Sequence, residues 1–320
     1  MTRRRKIRPD RLALAAVSAA VSVLHADEAA DEIAQAFLTS VDALVVLTSQ
    51  DMLTGGQYVI SGSAEETRLR LYNFPFYYHF RPFSEHLNWF VNGSAGISET
   101  RQEPDFGFGE KDETLFDTVA LRFGGGLRVK SGYGLQMLLG VNFIYSYVHN
   151  TYRYNSPESE ALLKPLLDGI FTNHGQSNYT YELFWQIGYA PHWGAWKPYA
   201  MMQTNYFDTK ADFNTQSLSH FTSRSGSAKI RFGVQTPPFV SIGTGKISIE
   251  GYVQGTTFTG SVRDTLGFDG YGATALIGHY DLSYPRWIVD RIDLMVENVA
   301  AEGIRGYNIG LGAGFDFSAF

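Results

Sequence analysis

The 320-residue chain is 44% hydrophobic, 15% aromatic and only 18% charged, with 33 glycines, no cysteine and a formal charge of −6. This composition excludes intrinsic disorder, which goes with high charge and few aromatic residues, and it excludes disulfide frameworks, cysteine-ligated metal centres and cysteine nucleophiles. No apolar run reaches the roughly 18 residues that a membrane-spanning helix needs.

The first 26 residues have the arrangement of a secretory signal peptide. Six basic residues within 3–11 precede an apolar run over 12–24, and an acidic stretch begins after Ala26. That run is too short to span a bilayer as a helix, so we expect residues 1–26 to be removed on export. The remaining chain carries 20 bases against 31 acids, a formal charge of −11, and such a charge does not suit a nucleic-acid partner.

Residues 27–53 are predicted to form an amphipathic helix. Ile33, Phe37, Val41 and Leu44 fall at helical spacing, and the segment contains no glycine, proline, lysine or arginine. Carboxylates in the first turns complement the helix dipole. The acidic residues of this segment include Asp27, Glu28, Asp31, Glu32 and Asp42.

From about residue 54 the hydrophobic period changes from helical to alternating. Between Leu135 and Tyr147 the odd positions are apolar or aromatic, whereas Gln136 and Asn142 are among the even ones. Most such runs have roughly ten or more residues, compared with about five or six in soluble strands. Long strands with one apolar face and one small, polar face are typical of transmembrane barrels. We therefore predict an all-β fold, an antiparallel transmembrane β-barrel over residues 54–320.

Short and long connections mostly alternate between these runs, and this alternation allows the strands to be counted. Bacterial barrels have short periplasmic turns, long external loops and an even number of strands, so twelve strands are predicted, with ten as the alternative. We also expect Pro75 to kink or bulge its strand. The predicted strands are 53–61, 66–81, 87–98, 115–130, 132–148, 176–190, 196–208, 224–235, 244–257, 270–282, 288–298 and 306–317.

The C-terminal strand ends in alternating apolar residues followed by a terminal aromatic. Leu311, Phe315 and Phe317 share one phase, whereas Phe320 lies in the other. This ending resembles the assembly signal of Gram-negative outer-membrane barrels. The resemblance implies that the barrel-assembly machinery is a partner during insertion and that lipid of the outer membrane surrounds the folded barrel.

A signal peptide, one helix and about twelve strands together resemble an autotransporter translocator domain. The chain is most similar to the solitary outer-membrane autotransporter-like barrels, which lack a passenger, and 71–82 looks like the early strand of that family. The resemblance implies that the helix over 27–53 occupies the barrel lumen. It implies a structural, surface or gated-pore role in a Gram-negative outer membrane, since about 25 residues between cleavage site and barrel leave no room for a passenger.

If the apolar faces contact lipid, several charged side chains must point into the lumen. The basic ones could pair with the acidic helix, which would then plug the barrel, or with acidic residues on neighbouring strands. Both alternatives stay open. The predicted lumen-facing charges are Arg122, Arg128, Lys130, Glu182, Lys229, Arg231 and Glu250.

Motifs for catalysis, cofactor binding and metal binding are missing from the sequence. His149, His174 and Ser223 fall in predicted external loops, and the predicted loop 99–114 is rich in acids, but neither pattern is specific. We expect no cofactor and no enzymatic activity. A small-solute channel and a loop-borne hydrolase remain alternatives, and the sequence identifies no external ligand.

Overall fold

The computed structural model describes residues 53–60, 67–80, 84, 86–103, 110–131, 133–169, 172–213, 221–266, 268–282 and 289–315. The strands in these residues are β1 (Leu53–Ile60), β2 (Thr67–His79), β3 (Leu87–Gln102), β4 (Glu113–Lys130), β5 (Leu135–Arg153), β6 (Gly175–Tyr189), β7 (Lys197–Phe213), β8 (Phe221–Gln235), β9 (Val240–Ile242), β10 (Gly245–Gly260), β11 (Gly270–Leu282), β12 (Val289–Ala301) and β13 (Ile304–Phe315). The helices are α1 (Pro157–Leu162), α2 (Lys164–Leu167) and α3 (Ser261–Leu266). Not one of these helices combines the length and the apolar character that crossing a membrane requires.

The strands close into a barrel through antiparallel pairing of each strand with its neighbours. β1 pairs with both β2 and β13, so the first and last strands are joined, and β10 pairs with both β8 and β11. β9 has only three residues and pairs with the start of β10 beyond the end of β8, so it extends that hairpin instead of adding to the wall. Within the described residues the wall therefore has twelve strands, as predicted.

The two ends of the barrel differ in the length of their connections. The turn end is the end at which β1 begins and β13 finishes, and it carries short connections such as 131–134 and 190–196. The loop end carries the longest connection, 154–174, which contains α1 and α2.

Several strands continue further toward the loop end than predicted. β5 ends at Arg153 instead of residue 148, and β7 ends at Phe213 instead of 208. The predicted ends were placed where apolar alternation stops, but the hydrogen-bonded ladder does not need apolar side chains. A tilted strand crosses a bilayer in about 9–11 residues. The 19 residues of β5 therefore reach beyond the membrane.

The predicted alternation separates an apolar outer face from an inner face that is polar apart from a buried apolar cluster, which includes Tyr58, Phe207 and Val262. On β5, Leu139 and Val141 are 55% and 58% exposed, whereas Asn142 and Ser146 on the opposite face are 2% and 1% exposed. Large apolar side chains cover the outer face of most strands. Exposing such a continuous apolar surface to water costs free energy, and contact with lipid tails removes that cost.

Pro75 causes no irregularity in the sheet, contrary to expectation. The pairing of β2 with β3 is continuous from Arg68 to His79. On the other side of β2, the described pairing with β1 reaches only Asn73, so the missing N–H of Pro75 removes no bond from that ladder. The register shift lies instead between β12 and β13, next to Val289.

Candidate functional site

The inner wall of the barrel is the candidate functional site, because it concentrates the buried polar side chains. On β6, Asn178, Thr180 and Glu182 all point inward and are 0% exposed. Buried polar groups need hydrogen-bond partners, and these have them across strands. The Asn178 amide donates to Ser146 at 3.3 Å, and the hydroxyls of Thr180 and Thr209 are 2.8 Å apart.

A charged cluster spans β4, β5 and β6. Glu182 Oε2 accepts hydrogen bonds from Arg122 Nε and from Asn142 Nδ2, each at 2.8 Å. The Arg122 guanidinium also lies 5.9 Å from the centre of the Phe184 ring. Two of the predicted lumen-facing charges, Arg122 and Glu182, therefore form an ion pair with each other.

A second cluster joins β7, β10, β11 and β12 around His279. Its Nδ1 lies 2.7 Å from Asp293 Oδ1 and its Nε2 lies 3.1 Å from Glu250 Oε2. The Tyr199 hydroxyl donates to Glu250 at 2.5 Å, and Arg291 Nε is 2.9 Å from Asp293 Oδ1. Only a doubly protonated imidazole can donate to both carboxylates. The geometry thus suits a cation held between two anions.

A third cluster surrounds Arg231 on β8. Its Nε and Nη2 donate to Gln254 Oε1 at 2.9 and 2.8 Å, and its guanidinium lies 4.1 Å from the centre of the Tyr252 ring. The Tyr252 hydroxyl donates to Glu297 at 2.8 Å, and Asn308 Nδ2 donates to the other oxygen of that carboxylate at 2.6 Å. These contacts connect β8 to β13.

The seam at which the barrel closes belongs to the same network. The hydroxyl of Tyr58, on β1, donates to Asn308 Oδ1 at 2.5 Å, and both side chains are 1% exposed. Asn308 also contacts Glu297, so one buried chain of hydrogen bonds crosses β1, β13 and β12. The first and last strands are held together by side chains as well as by the backbone ladder.

The remaining predicted charges lie on the same inner face or at its edge. Arg128 Nη2 donates to Gln136 Oε1 at 2.6 Å near the turn end. Lys229 is half-buried on β8, and Lys130 is exposed at the last residue of β4.

A cavity of about 290 Å³ opens on the inner wall near the turn end. Its polar lining consists of two arginines and several amides, with no carboxylate among the described lining residues. The cavity is lined by Pro75, Phe76, Tyr77, Asn92, Gly93, Arg122, Arg128, Gln136, Leu138, Phe184, Gln186 and Gln203.

Glycines in the wall make room for the aromatic rings of the site. A Cβ at Gly140 would lie 2.5 Å from the Phe184 ring, and one at Gly233 would lie 2.4 Å from the Tyr199 ring. Any side chain there would displace the ring that contacts Arg122 or the hydroxyl that contacts Glu250.

Other predicted residues fall outside the described part of the chain. The acids Asp27, Glu28, Asp31, Glu32 and Asp42 lie within 1–52, and Phe317 and Phe320 lie within 316–320. Of the predicted acidic segment 27–53, the structure describes only Leu53, which begins β1 as in the predicted strand 53–61. Leu311 and Phe315 lie on β13, where Leu311 faces outward and is 51% exposed.

At the loop end, Asp112 organises the connection 154–174. Although it is only 2% exposed, its carboxylate accepts hydrogen bonds from the Tyr152 hydroxyl and the Asn155 N–H, each at 2.9 Å, and from the Ser159 hydroxyl. Ser156 caps α1 by accepting from the Ser159 N–H at 2.9 Å. This anchor was not predicted.

The loop residues considered for chemistry are placed differently from expectation. His149 and Ser223 lie within β5 and β8, because these strands extend toward the loop end, and His174 lies just before β6. The acid-rich stretch is also partly strand, with Glu99 on β3 and Glu113 on β4. No group of three or more His, Asp and Glu side chains in the described residues is arranged to hold a metal ion.

The residues that sequence reasoning missed are His279, Asp293, Glu297 and Asn308. The sequence contains a signal for two of them, because Asp293 and Glu297 alternate with apolar residues along β12 and so must face inward. Their partners depend on the register between strands, which alternation within one strand does not contain.

The comparisons with known proteins agree with this architecture. A model of the family described as the solitary outer membrane autotransporter beta-barrel domain matches residues 43–287. The β domain of the Bordetella autotransporter BrkA has a similar structure, with a TM-score of 0.53 and 10% identity over 81% of this chain and 95% of that chain. The transport unit of the autotransporter AIDA-I from Escherichia coli has a TM-score of 0.51 and 10% identity over 84% and 91%.

A third similar structure is the translocator domain of the autotransporter NalP from Neisseria meningitidis. Its TM-score is 0.50, with 10% identity over 83% of this chain and 86% of that chain. No curated protein sequence matches the chain. At such low identities the structural likeness shows the fold, and the family match shows the relationship.

Proposed function

Because this chain belongs to the solitary outer-membrane autotransporter β-barrel family, we propose that it is a barrel occluded from within by its own acidic segment, residues 27–52. Membership of the family makes the chain an autotransporter-like translocator barrel of the Gram-negative outer membrane. What occupies the lumen, and so whether the barrel conducts, is the functional question.

The burial of the inner wall is the observation that carries the proposal. Eight strands enclose a lumen that side chains alone can fill, and the diameter grows with strand number. This wall has twelve strands, yet Asn73, Gln176 and Ser248, on β2, β6 and β10, are each 0% exposed. Inward apolar residues of the wall and Val262 of α3 cover part of the lumen, and the acidic segment would cover the polar side chains that these residues leave.

The charge of the cavity supports an acidic occupant. Arg128 contributes a positive charge to its lining, whereas Arg122 is paired with Glu182 in the wall, and burying an acidic group beside a cation is favourable compared with burying it alone. The order of the chain also supports an acidic occupant. The acidic segment directly precedes β1, and β1 begins at the turn end of the barrel, near which the cavity opens. The Arg122–Glu182 pair is complete within the wall, so the occupant is held by few direct charge contacts and can be released.

Bilayer conductance tests this proposal directly. The mature chain and a variant lacking residues 27–52 would be reconstituted in planar bilayers, and we expect stable openings only from the deletion variant. A matched control neutralises Asp27, Glu28, Asp31, Glu32 and Asp42 to their amides, which keeps the length of the segment and should give intermittent opening. Equal conductance of all three proteins would contradict occlusion, and open conductance of the intact chain would favour the small-solute channel.

We further propose a non-catalytic role at the cell surface. Family membership supports it, and two of the residues considered for hydrolysis, His149 and Ser223, are placed in strands. The Ser223 hydroxyl lies 2.5 Å from the hydroxyl of Ser261 on α3. A hydrolase would lose a measurable activity on substitution of His149 or His174, and we expect no such activity.

Export and assembly complete the proposal. Residues 1–26 would direct secretion, and β13 would be read by the barrel-assembly machinery before it closes the barrel against β1. The outward positions of β13 support this, since Tyr307, Ile309 and Leu311 form an apolar face that is 51–54% exposed.

A further inference from the structure

Three arginines lie in one transverse row across the first, second, third and last strands of the chain. Arg305 on β13 and Arg68 on β2 both stand opposite Val59 of β1, and Arg68 stands opposite Arg101 of β3. Neighbouring strands are about 4.8 Å apart, so the row covers roughly 14 Å of the wall. We refer to Arg68, Arg101 and Arg305 as the arginine row.

The row faces outward, just beyond the apolar band. Alternation places Tyr72 on the face of Arg68, Ile97 on that of Arg101, and Ile309 on that of Arg305. These three residues are 48%, 48% and 54% exposed, and each is four residues further into the barrel wall than its arginine. Four residues of strand span about 13 Å. If the lipid-facing band ends near Tyr72, Ile97 and Ile309, the guanidinium groups lie at the level of the lipid headgroups.

Arg68 and Arg101 are direct cross-strand partners, and like charges in such positions are destabilising. Arg101 has nearby carboxylates, Glu113 at 3.1 Å and Glu103 at 3.5 Å, but the Arg101 and Glu103 side chains are about half exposed. The exposed pair with Glu103 contributes little and exchanges readily, whereas Glu113 is only 19% exposed and holds Arg101 more firmly.

A pocket above the row has the same electrostatic character. It measures about 180 Å³ and is lined by Arg68, Arg101, Lys111 and Glu103, three cations and one anion. Arg70, one step closer to the apolar band, pairs with Glu99 at 3.6 Å with both side chains about half exposed. The surface around the row therefore carries more basic groups than carboxylates, and most of these basic groups are guanidinium groups.

We infer that the arginine row is a binding surface for the phosphate groups of an acylated lipid in the outer leaflet of the membrane. Guanidinium groups bind phosphate through paired, charge-assisted hydrogen bonds. The apolar residues beyond the Arg70–Glu99 pair favour a phosphate that carries acyl chains over a soluble phosphate, because the chains can lie against Tyr72 and Ile97. The inference rests on the proposed orientation of the barrel, in which the loop end faces the exterior of the cell.

Other exposed bases at the loop end provide a matched control. Lys164, Lys210 and Arg224 lie on α2, β7 and β8, away from the row. Lys164 contacts Glu160 at 2.8 Å and Arg224 contacts Asp208 at 3.9 Å. Removing these three charges changes the net charge by the same amount without touching the row.

The test measures lipid retained by the full mature chain in phosphatidylcholine nanodiscs doped with bisphosphorylated lipid A. Native mass spectrometry counts the lipid A molecules bound per barrel. We expect R68Q/R101Q/R305Q to bind lipid A at least about tenfold more weakly, because three interfacial arginines are lost. K164Q/K210Q/R224Q should bind like the unaltered chain, and dephosphorylated lipid A should bind all three proteins weakly.

The inference is overturned if the row variant retains as much lipid A as the unaltered chain, or if the control variant loses as much as the row variant. Displacement of lipid A by millimolar inorganic phosphate would overturn the assignment to a lipid. Heat-modifiable gel mobility reports folding of each variant, and R305Q alone serves if the triple variant does not fold. The conductance experiment does not involve these residues, so either proposal can fail without the other.

Discussion

At the scale of single residues, the inner wall is stabilised by buried charges that have partners on other strands. Glu182 is 0% exposed and contacts Arg122 and Asn142, and His279 lies between Glu250 and Asp293. A paired buried charge can be close to neutral for stability, whereas the charge left after one partner is removed is strongly destabilising.

Removing the Glu182 carboxylate should therefore cost more than removing the pair. We expect Glu182→Ala to lower the free energy of unfolding by about 3–5 kcal/mol, because Arg122 remains in the wall without its anion. The double variant Arg122→Ala with Glu182→Ala should recover part of this loss, a non-additive result that urea unfolding in vesicles would reveal. Glu158→Gln, an exposed change on α1, should have no effect.

Additive losses in the Arg122 and Glu182 variants would contradict this account of the wall. Such a result would mean that the two side chains act independently, in spite of the 2.8 Å contact between them.

At the scale of elements, the connection at the loop end is held by the carboxylate of Asp112, which no helix or strand pattern in the sequence predicts. Asp112 contacts Tyr152, Asn155 and Ser159, so it joins the end of β5 to the first turn of α1. Loops with such internal anchors can unfold locally without loss of the barrel.

Asp112→Ala should release the connection 154–174 while leaving the barrel closed. Loss of the hydrogen bonds from Asn155 and from the buried Tyr152 and Ser159 favours the open loop by enough to make proteolytic nicking at least about tenfold faster. Limited proteolysis followed by mass spectrometry of the fragments measures this rate, with Glu158→Gln as the control. Unchanged nicking, or loss of heat-modifiable mobility, would show that Asp112 does not act as a local anchor.

The same elements show how far sequence patterns reach. Side-chain direction reverses at each residue of a strand, so alternation alone placed Arg122, Glu182 and Glu250 on one face and Leu311 on the other. Alternation does not reveal that Glu250 meets His279, because that contact depends on how β10 and β11 are aligned.

Strand ends and loop anchors were the least predictable features. β7 continues through Asp208 and Lys210 because backbone pairing is indifferent to side-chain polarity once the strand has left the membrane. Asp112 could not be distinguished from its acidic neighbours, since its importance comes from a contact 47 residues away with Ser159.

At the scale of the whole molecule, the barrel separates three environments. Apolar side chains face lipid, an arginine row lies at one rim, and a buried polar network lines the lumen. The chain meets all three with only 18% charged residues because each strand uses alternate positions for different environments. The central claim is that the acidic segment lies against the inner wall.

Disulfide trapping tests that claim most directly, because the chain has no cysteine of its own. Cysteine would replace Asp31 or Asp42 in the acidic segment, paired with Gln136→Cys at the lumen cavity or with Leu135→Cys, the adjacent residue on the lipid face. Mild oxidation of outer membranes, followed by gel electrophoresis, would show whether a cross-link forms. We predict cross-links to position 136 and none to position 135; cross-links to 135, or to neither position, would contradict an acidic segment inside the barrel.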